Sequence, residues 1–380
     1  MKILHTSDWH VGKVLKGQPR AEEQIAALAE IVQIAQAEQP DLVIVAGDLY
    51  ENAAPAPEST RIVTRALSAL RRTGAEVIAI AGNHDNGAAM DALRGWAEAA
   101  GITVRGTVRH AEDHLITGVT AGGEAWRCVA LPFLSQRYAV RATEMFDLTG
   151  AEANQTYADH LQRMLGVLTE DFDGTAVNLI TAHLTVVGAT AGGGEREAHT
   201  IQAYAVPATL FPASAHYVAL GHLHRRQAVN APCPVHYSGS PVAVDFGEEE
   251  NSPGVLLVEV AADTPAKVRE IAVNATRPLR TVRGTLEELT ALRTGEAWLR
   301  VYVRESPRAG LREEVQELLP RALEVRIDPD VLPDGEDGAP RARRAGRSPR
   351  DLFAAYLEEK GHDDPAVREL FDQLYAEVDQ

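Results

Sequence analysis

Short, wholly buried-looking apolar runs recur through the first hundred residues, each ending at a polar or glycine-containing cluster and followed by a stretch of helical periodicity. Segments 3–6, 42–46 and 77–81 are such runs, the pattern of parallel strands covered on both faces. Between them Ile25, Leu28, Ile31, Val32 and Ala35, and then Ile62, Val63, Ala66, Leu67 and Leu70, repeat at three-and-four spacing. That spacing predicts helices with one apolar stripe each. The alternation of strand, loop and helix predicts an α/β fold, whose working residues usually lie at the carboxyl ends of the strands.

Beyond residue 100 the alternation loosens into apolar segments at 126–131, 177–182, 217–220, 235–238 and 255–260, which predict a second sheet. Residues 184–205 contain Gly192-Gly193-Gly194 and read as a mobile loop beside His183, with a phosphate cradle as the alternative. Residues 275–332 read as a small α+β domain, with a strand at 297–303 and a helix over about 308–319. A Pro/Gly/Arg linker follows at 333–347. Residues 348–380 predict two helices: Ser348 caps the first, with Pro349 at its first position, and Asp364-Pro365 opens the second. The second helix places Val367, Leu370, Phe371, Leu374, Tyr375 and Val378 on one face. An apolar stripe on a tail after a polar linker either folds back or docks on another chain, and the linker favours docking. The expected organisation is a main domain over 1–274, a small domain over 275–332, a linker over 333–347 and a helical segment over 348–380.

Composition narrows the setting. With 380 residues, 45% of them apolar, the chain can bury a sizeable core in two or three domains. No stretch approaches the ~20 apolar residues of a membrane span, and the amino terminus has no leader pattern, so the cytoplasm is the expected compartment. Cys128 and Cys233 have no metal-ligand spacing and read as reduced thiols. The net charge of -17 does not exclude nucleic acid, because recognition depends on local patches. Residues 275–350 carry 15 arginines against 13 acids, and these arginines read either as solvated faces or as a DNA-facing patch.

The candidate chemistry lies in five clusters at predicted strand ends: Asp8 and His10, Asp48, Asn83 with His84 and Asp85, His183, and His222 with His224. Carboxylate, imidazole and amide oxygen together suit a borderline-hard divalent ion, whereas a structural zinc site would normally use cysteine. Asp8 and His10, two apart in an extended segment, project to the same side and suit joint binding of one ion. Asp48, directly after Gly47, can bridge two ions. Asn83, His183 and His222 suit the second ion, and His224 returns to the first. Such a pair acidifies a shared water and clamps phosphoryl oxygens for in-line attack. His84, next to a ligand, is expected to face the substrate and to stabilise the transition state or protonate the leaving oxygen, with Asp85 as its orienter or a cap. Lys13 and Lys16 are candidates for phosphate contact or ordinary surface lysines. Residues 237–240 offer either a tight turn or backbone donors to a phosphate.

The motifs Ser7-Asp8-Trp9-His10-Val11-Gly12-Lys13, Ala46-Gly47-Asp48-Leu49-Tyr50, Ala81-Gly82-Asn83-His84-Asp85, Gly221-His222-Leu223-His224 and Tyr237-Ser238-Gly239-Ser240-Pro241 resemble those of the calcineurin-like metallophosphoesterase superfamily. The arginine-rich segment and terminal helices resemble its DNA-nuclease branch. The resemblance implies a two-sheet sandwich flanked by helices, with a small α+β domain that caps the site and orients DNA, and a C-terminal helical pair. It implies two manganese ions, magnesium being the alternative, held by Asp8, His10, Asp48 and His224 on one side and Asp48, Asn83, His183 and His222 on the other. His84 would be the catalytic histidine. It further implies exonuclease and endonuclease action on DNA ends and hairpins in repair, recombination and replication. The implied partners are a coiled-coil ATPase, docked on residues 348–378, and a second copy, joined through helices near 57–72 and 88–100. Some relatives carry a histidine where this chain has Glu51-Asn52-Ala53, so a supporting role there is open. Leu49-Tyr50 and Asp85 argue against the protein-phosphatase branch. A small-molecule or cyclic-nucleotide phosphodiesterase and a catalytically silent scaffold are the alternatives.

Overall fold

Two six-stranded sheets stack face to face in the computed structural model, which describes residues 1–135, 150–195 and 205–331 together with positions 353, 356, 357, 367, 370 and 371. The first sheet runs Thr264–Ala272, Gly254–Ala261, Lys2–Thr6, Leu42–Val45, Glu76–Ile80, Ile102–Arg105. Its last four strands are mutually parallel, and the first two are antiparallel additions. The second runs Gln227–Val229, Val235–Tyr237, Tyr217–Gly221, Val177–His183, Ala125–Leu131, Leu115–Val119, with its four central strands parallel.

The continuous apolar runs follow from burial on both faces. Ile3, Leu42, Ile44, Ile78 and Ile80 meet Trp126, Cys128, Leu179 and Tyr217 between the sheets. Their alternates Leu4, Val43, Val45, Val77 and Ala79 pack outward under the helices Ala21–Glu38 and Pro57–Arg71. On the far side Tyr157, Leu161, Leu165 and Leu168 of the helix Gly150–Leu168 cover Val129, Ile180, Val218 and Leu220. The order is helix, sheet, sheet, helix. Fully buried His5 is neutral: burial drives its pKa down to about 3, and its ring nitrogens bond Tyr217 Oη and the Leu220 carbonyl oxygen.

Pro57–Arg71 buries the five apolar positions expected of it. In Ala21–Glu38 the face is rotated: Gln24, Ala27, Leu28, Ile31 and Ala35 are buried, while Ile25 is 48% exposed. The helix expected near 88–100 is two, Gly87–Ala92 and Arg94–Ala99.

Residues 1–303 and 308–326 form one compact unit. Within it a three-stranded sheet, Leu279–Gly284, Trp298–Val303, Ala322–Ile327, carries the helices Leu286–Thr290 and Leu311–Leu318. A buried ion pair anchors this sheet. Arg20, 1% exposed, grips Glu23 through two bonds of 2.7 and 2.9 Å. Glu23 accepts in turn from Trp298 Nε1–H (2.8 Å) and the Arg277 amide (3.0 Å). The second unit comprises 304–307 and 327–380. In it Arg304 pairs with Asp328, Phe353 and Phe371 stack at 4.0 Å, Leu357 is buried, and Tyr356 and Leu370 are exposed. The expected linker at 333–347 lies outside the described residues, and the expected helical pair is described only at those six positions, all helical.

Candidate metal centre

Each candidate residue sits at the carboxyl end of a parallel strand: Asp8 and His10 after Lys2–Thr6, Asp48 after Leu42–Val45, Asn83 and His84 after Glu76–Ile80, His183 ending Val177–His183, and His222 and His224 after Tyr217–Gly221. The first two turns zip together, with the amides of Asp8, His10 and Val11 donating to the carbonyls of Gly47, Asp48 and Leu49, each at 3.0 Å. Asp85 joins the second and third: its carboxylate accepts from the amides of Gly82, Leu49 and Tyr50. The backbone is sharply turned, with φ of +54° at Asp8, +46° at His10, +51° at Asp48 and +99° at His222. Gly47 (φ +96°) is also required sterically, because a Cβ there would sit 2.2 Å from His183 Nδ1.

The donors converge on two foci. Donor atoms of Asp8, His10 and His224 lie within 4.8 Å of one another, and the Nε2 atoms of His10 and His224 face each other at 3.0 Å. Asn83 Oδ1 lies 2.9 Å from His183 Nε2 and 2.8 Å from His222 Nδ1. Between the foci stands Asp48 Oδ2, 3.7 Å from His10 Nε2 and 3.5 Å from His183 Nε2. The structure therefore brings together all seven metal-ligand candidates. His84 joins them: its Nε2 is 4.0 Å from Asp48 Oδ2, its Nδ1 lies 2.9 Å from the Glu51 carbonyl oxygen, and its amide donates to Asp48 Oδ1 at 2.8 Å. Two carboxylates, four imidazoles and an amide oxygen, with ring nitrogens facing one another in a buried space, fit divalent cations that take oxygen and nitrogen ligands.

The electrostatics agree. Burial would push the Asp48 carboxyl up, but His183, His10 and His84 hold it well below the usual carboxylate range. Burial opposes protonation of His183 and His224, and the Asp48 charge nevertheless lifts His183 to about 9, while Glu248 beside it lifts His224 to about 10. An incoming ion must displace those protons. Apparent metal affinity is therefore expected to rise between pH 6 and 9, by up to about tenfold per pH unit for each proton displaced. Calorimetry in buffers of different ionisation enthalpy at pH 7 would register the released protons; binding without proton release would contradict these assignments.

Acidic residues outside the five motifs complete the site. Glu248 Oε1 lies 2.5 Å from His224 Nδ1, Glu51 Oε2 lies 3.1 Å from His10 Nδ1, and Glu195 Oε1 accepts from the His224 amide at 2.8 Å. Only Glu51 carried a signal, its position three residues after Asp48. Lys13 bonds Glu51 at 3.0 Å, and Lys16 Nζ stands 3.8 Å from Asp245 and 3.9 Å from Glu324, so both lysines face carboxylates here. In the turn at 237–240 Tyr237 Oη donates to the Leu184 carbonyl, Ser240 Oγ donates to that of Asp8, and the Ser240 amide donates to that of His224. The triple glycine, expected to be mobile, packs against the loops bearing His224 and Glu248. A Cβ on Gly194 would lie 1.8 Å from Glu248 Oε1, so close approach is what requires glycine. Residues 196–204 lie outside the described residues. Several small-domain arginines are matched to acids, among them Arg300 and Arg326 to Glu324 and Arg321 to Glu296.

A family model described as calcineurin-like phosphoesterase matches residues 1–226, and one described as type 5 capsule protein repressor C-terminal domain matches residues 275–361. The chain is 32% identical over 323 residues to the SbcD subunit of nuclease SbcCD from Bacillus subtilis (strain 168), covering 82% of this chain and 81% of that protein. It is 31% identical over 303 residues to the SbcD subunit of nuclease SbcCD from Escherichia coli (strain K12), covering 77% and 73%.

Proposed function

Because the chain belongs to the calcineurin-like phosphoesterases and, among them, to the SbcD nucleases, we propose that this metal-dependent phosphodiesterase cleaves DNA with two manganese ions. Its task would be to process DNA ends and hairpins, as exonuclease and endonuclease, in repair, recombination and replication. The observation that carries this reading is the placement of the Asp48 carboxylate between two groups of donors. Asp8, His10, Asp48 and His224 would hold one ion, and Asp48, Asn83, His183 and His222 the other. Bound ions of this kind supply an acidified water and neutralise phosphoryl oxygens.

The protein's own groups do the rest. With Nδ1 held by the Glu51 carbonyl oxygen and Nε2 4.0 Å from Asp48 Oδ2, His84 would stand beside a phosphate bound at the centre and would stabilise developing charge or deliver a proton to the leaving oxygen. The domain at 275–332, anchored through Glu23, would cap the site and orient DNA. The groove between Pro57–Arg71 and Arg94–Ala99, beside Trp96 at 77% exposure, would join two copies. An SbcC-like coiled-coil ATPase would dock on residues 348–378, where Tyr356 and Leu370 are exposed. No helix among the described residues is long and apolar enough to cross a membrane, in keeping with a cytoplasmic enzyme.

The test is manganese-dependent cleavage of linear single- and double-stranded DNA, with and without the ATPase, by the whole chain and by a chain ending at Pro333. The whole chain is expected to cut both in the complex. The shortened chain should still cut short single-stranded DNA while losing co-purification with the ATPase and ATP-stimulated cutting of duplex ends. Burial of several large side chains at ~1.5–3 kcal/mol each, less the ordering cost, suffices for such docking. Undiminished binding of the ATPase by the shortened chain would place the interface elsewhere. Inactivity of the whole chain on DNA would overturn the nuclease reading.

A further inference from the structure

The loop that carries His10 is held from behind by the start of the helix Ala21–Glu38. Gln24, 1% exposed, donates from Nε2 to the His10 carbonyl at 2.6 Å and accepts the Gly12 amide on Oε1 at 3.1 Å. A carboxamide supplies both the donor and the acceptor that these two groups require. His10 needs such support, because its φ of +46° is one that a non-glycine residue keeps only where its surroundings over-determine it. Its amide is held by the Asp48 carbonyl. Gly12 (φ +102°) is closed in by Ser59, whose Oγ would lie 2.8 Å from a Cβ there.

The residue before Gln24 holds the small three-stranded sheet. Glu23 accepts from Trp298 Nε1–H at 2.8 Å and from the Arg277 amide at 3.0 Å while it is paired with Arg20, whose own amide donates to the Lys13 carbonyl at 3.3 Å. Between Lys13 and Arg20 the chain packs against that sheet: Leu15, 2% exposed, lies in one cluster with Leu279 and Trp298. Consecutive side chains in the first turn of one helix therefore grip the small sheet and the His10 loop. We propose that the small sheet sets the position of His10 through this turn. Gln24 is the positioning residue that touches the His10 loop, and Trp298 is the contact that fixes the turn. This role is additional to orienting DNA, and its bearing on metal binding rests on the two-ion reading above.

The full chain carries the test, read by manganese calorimetry and by the His10 ring signals of the metal-free protein in carbon-13 histidine NMR. Gln24→Met nearly keeps the volume and removes both bonds. It should weaken manganese binding by about 10-fold or more and shift the His10 signals. Trp298→Phe keeps an aromatic ring against Leu15 and removes the bond to Glu23. It should weaken binding by about two- to tenfold and shift the same signals, and it carries the test if Gln24→Met does not fold. Added to Gln24→Met it should change almost nothing further, because both act through one turn. Trp298→Phe with wild-type affinity and unmoved His10 signals, or effects that add in full in the double variant, would overturn the inference. Wild type that binds no manganese would overturn the two-ion reading itself, and the His10 signals alone would then decide whether the small sheet positions His10.

Discussion

His84→Ala should bind manganese as wild type does and lose most turnover, falling by ~10²–10⁴, or roughly 3–5 kcal/mol of transition-state stabilisation. The ring packs edge-on against His10 at 4.7 Å, and its Nδ1 is tied to the Glu51 carbonyl oxygen. Its imidazole is thus oriented by backbone and not needed to gather the other donors. Its amide bond to Asp48 survives the substitution. The separation of binding from turnover is the diagnostic, read by calorimetry and by cleavage kinetics on the same preparation. Parallel loss of both would make His84 a ligand, a reading its grouping with His10 and Asp48 makes worth testing.

Asp48→Asn should weaken both ions together. Asparagine tolerates the left-handed backbone at this position better than alanine would and can still accept the His84 amide, so the change removes charge with little other disturbance. Loss of a carboxylate standing between both groups should cost each ion more than the ~10–100-fold typical of a group behind a ligand, and cleavage should become undetectable at ordinary manganese concentrations. Calorimetry showing one undisturbed step would mean that Asp48 serves a single ion.

The catalytic half of the fold was legible because its strands are buried on both faces. A continuous apolar run that stops at Gly47-Asp48 or Gly82-Asn83 marks both strand and loop, and the five clusters then fall into order. Edge strands were harder: Thr264–Ala272 alternates exposed and half-buried residues and has a mixed composition that resembles a loop. Ile25 shows the limit of periodicity, since a helix covered on a limited arc can leave an apolar side chain outside. Glu51, Glu195 and Glu248 went largely unread for another reason. A glutamate in a loop looks solvated, and only the chain's return over 24 residues in one case and 41 in another sets Glu248 behind His224 and Glu51 behind His10. Lys13 was ambiguous in the same way, because its partner was unknown.

Four of the six non-glycine residues with positive φ among the described residues are Asp8, His10, Asp48 and His222. Each such conformation costs an L-residue ~1–2 kcal/mol, and glycine would relieve it. A variant library selected only for heat tolerance would therefore drift toward glycine at these four positions, discarding donor atoms as it gained melting temperature. Engineering a hardier form of this enzyme should hold the four turns fixed and seek its gains elsewhere, for instance beneath the half-exposed Ile25.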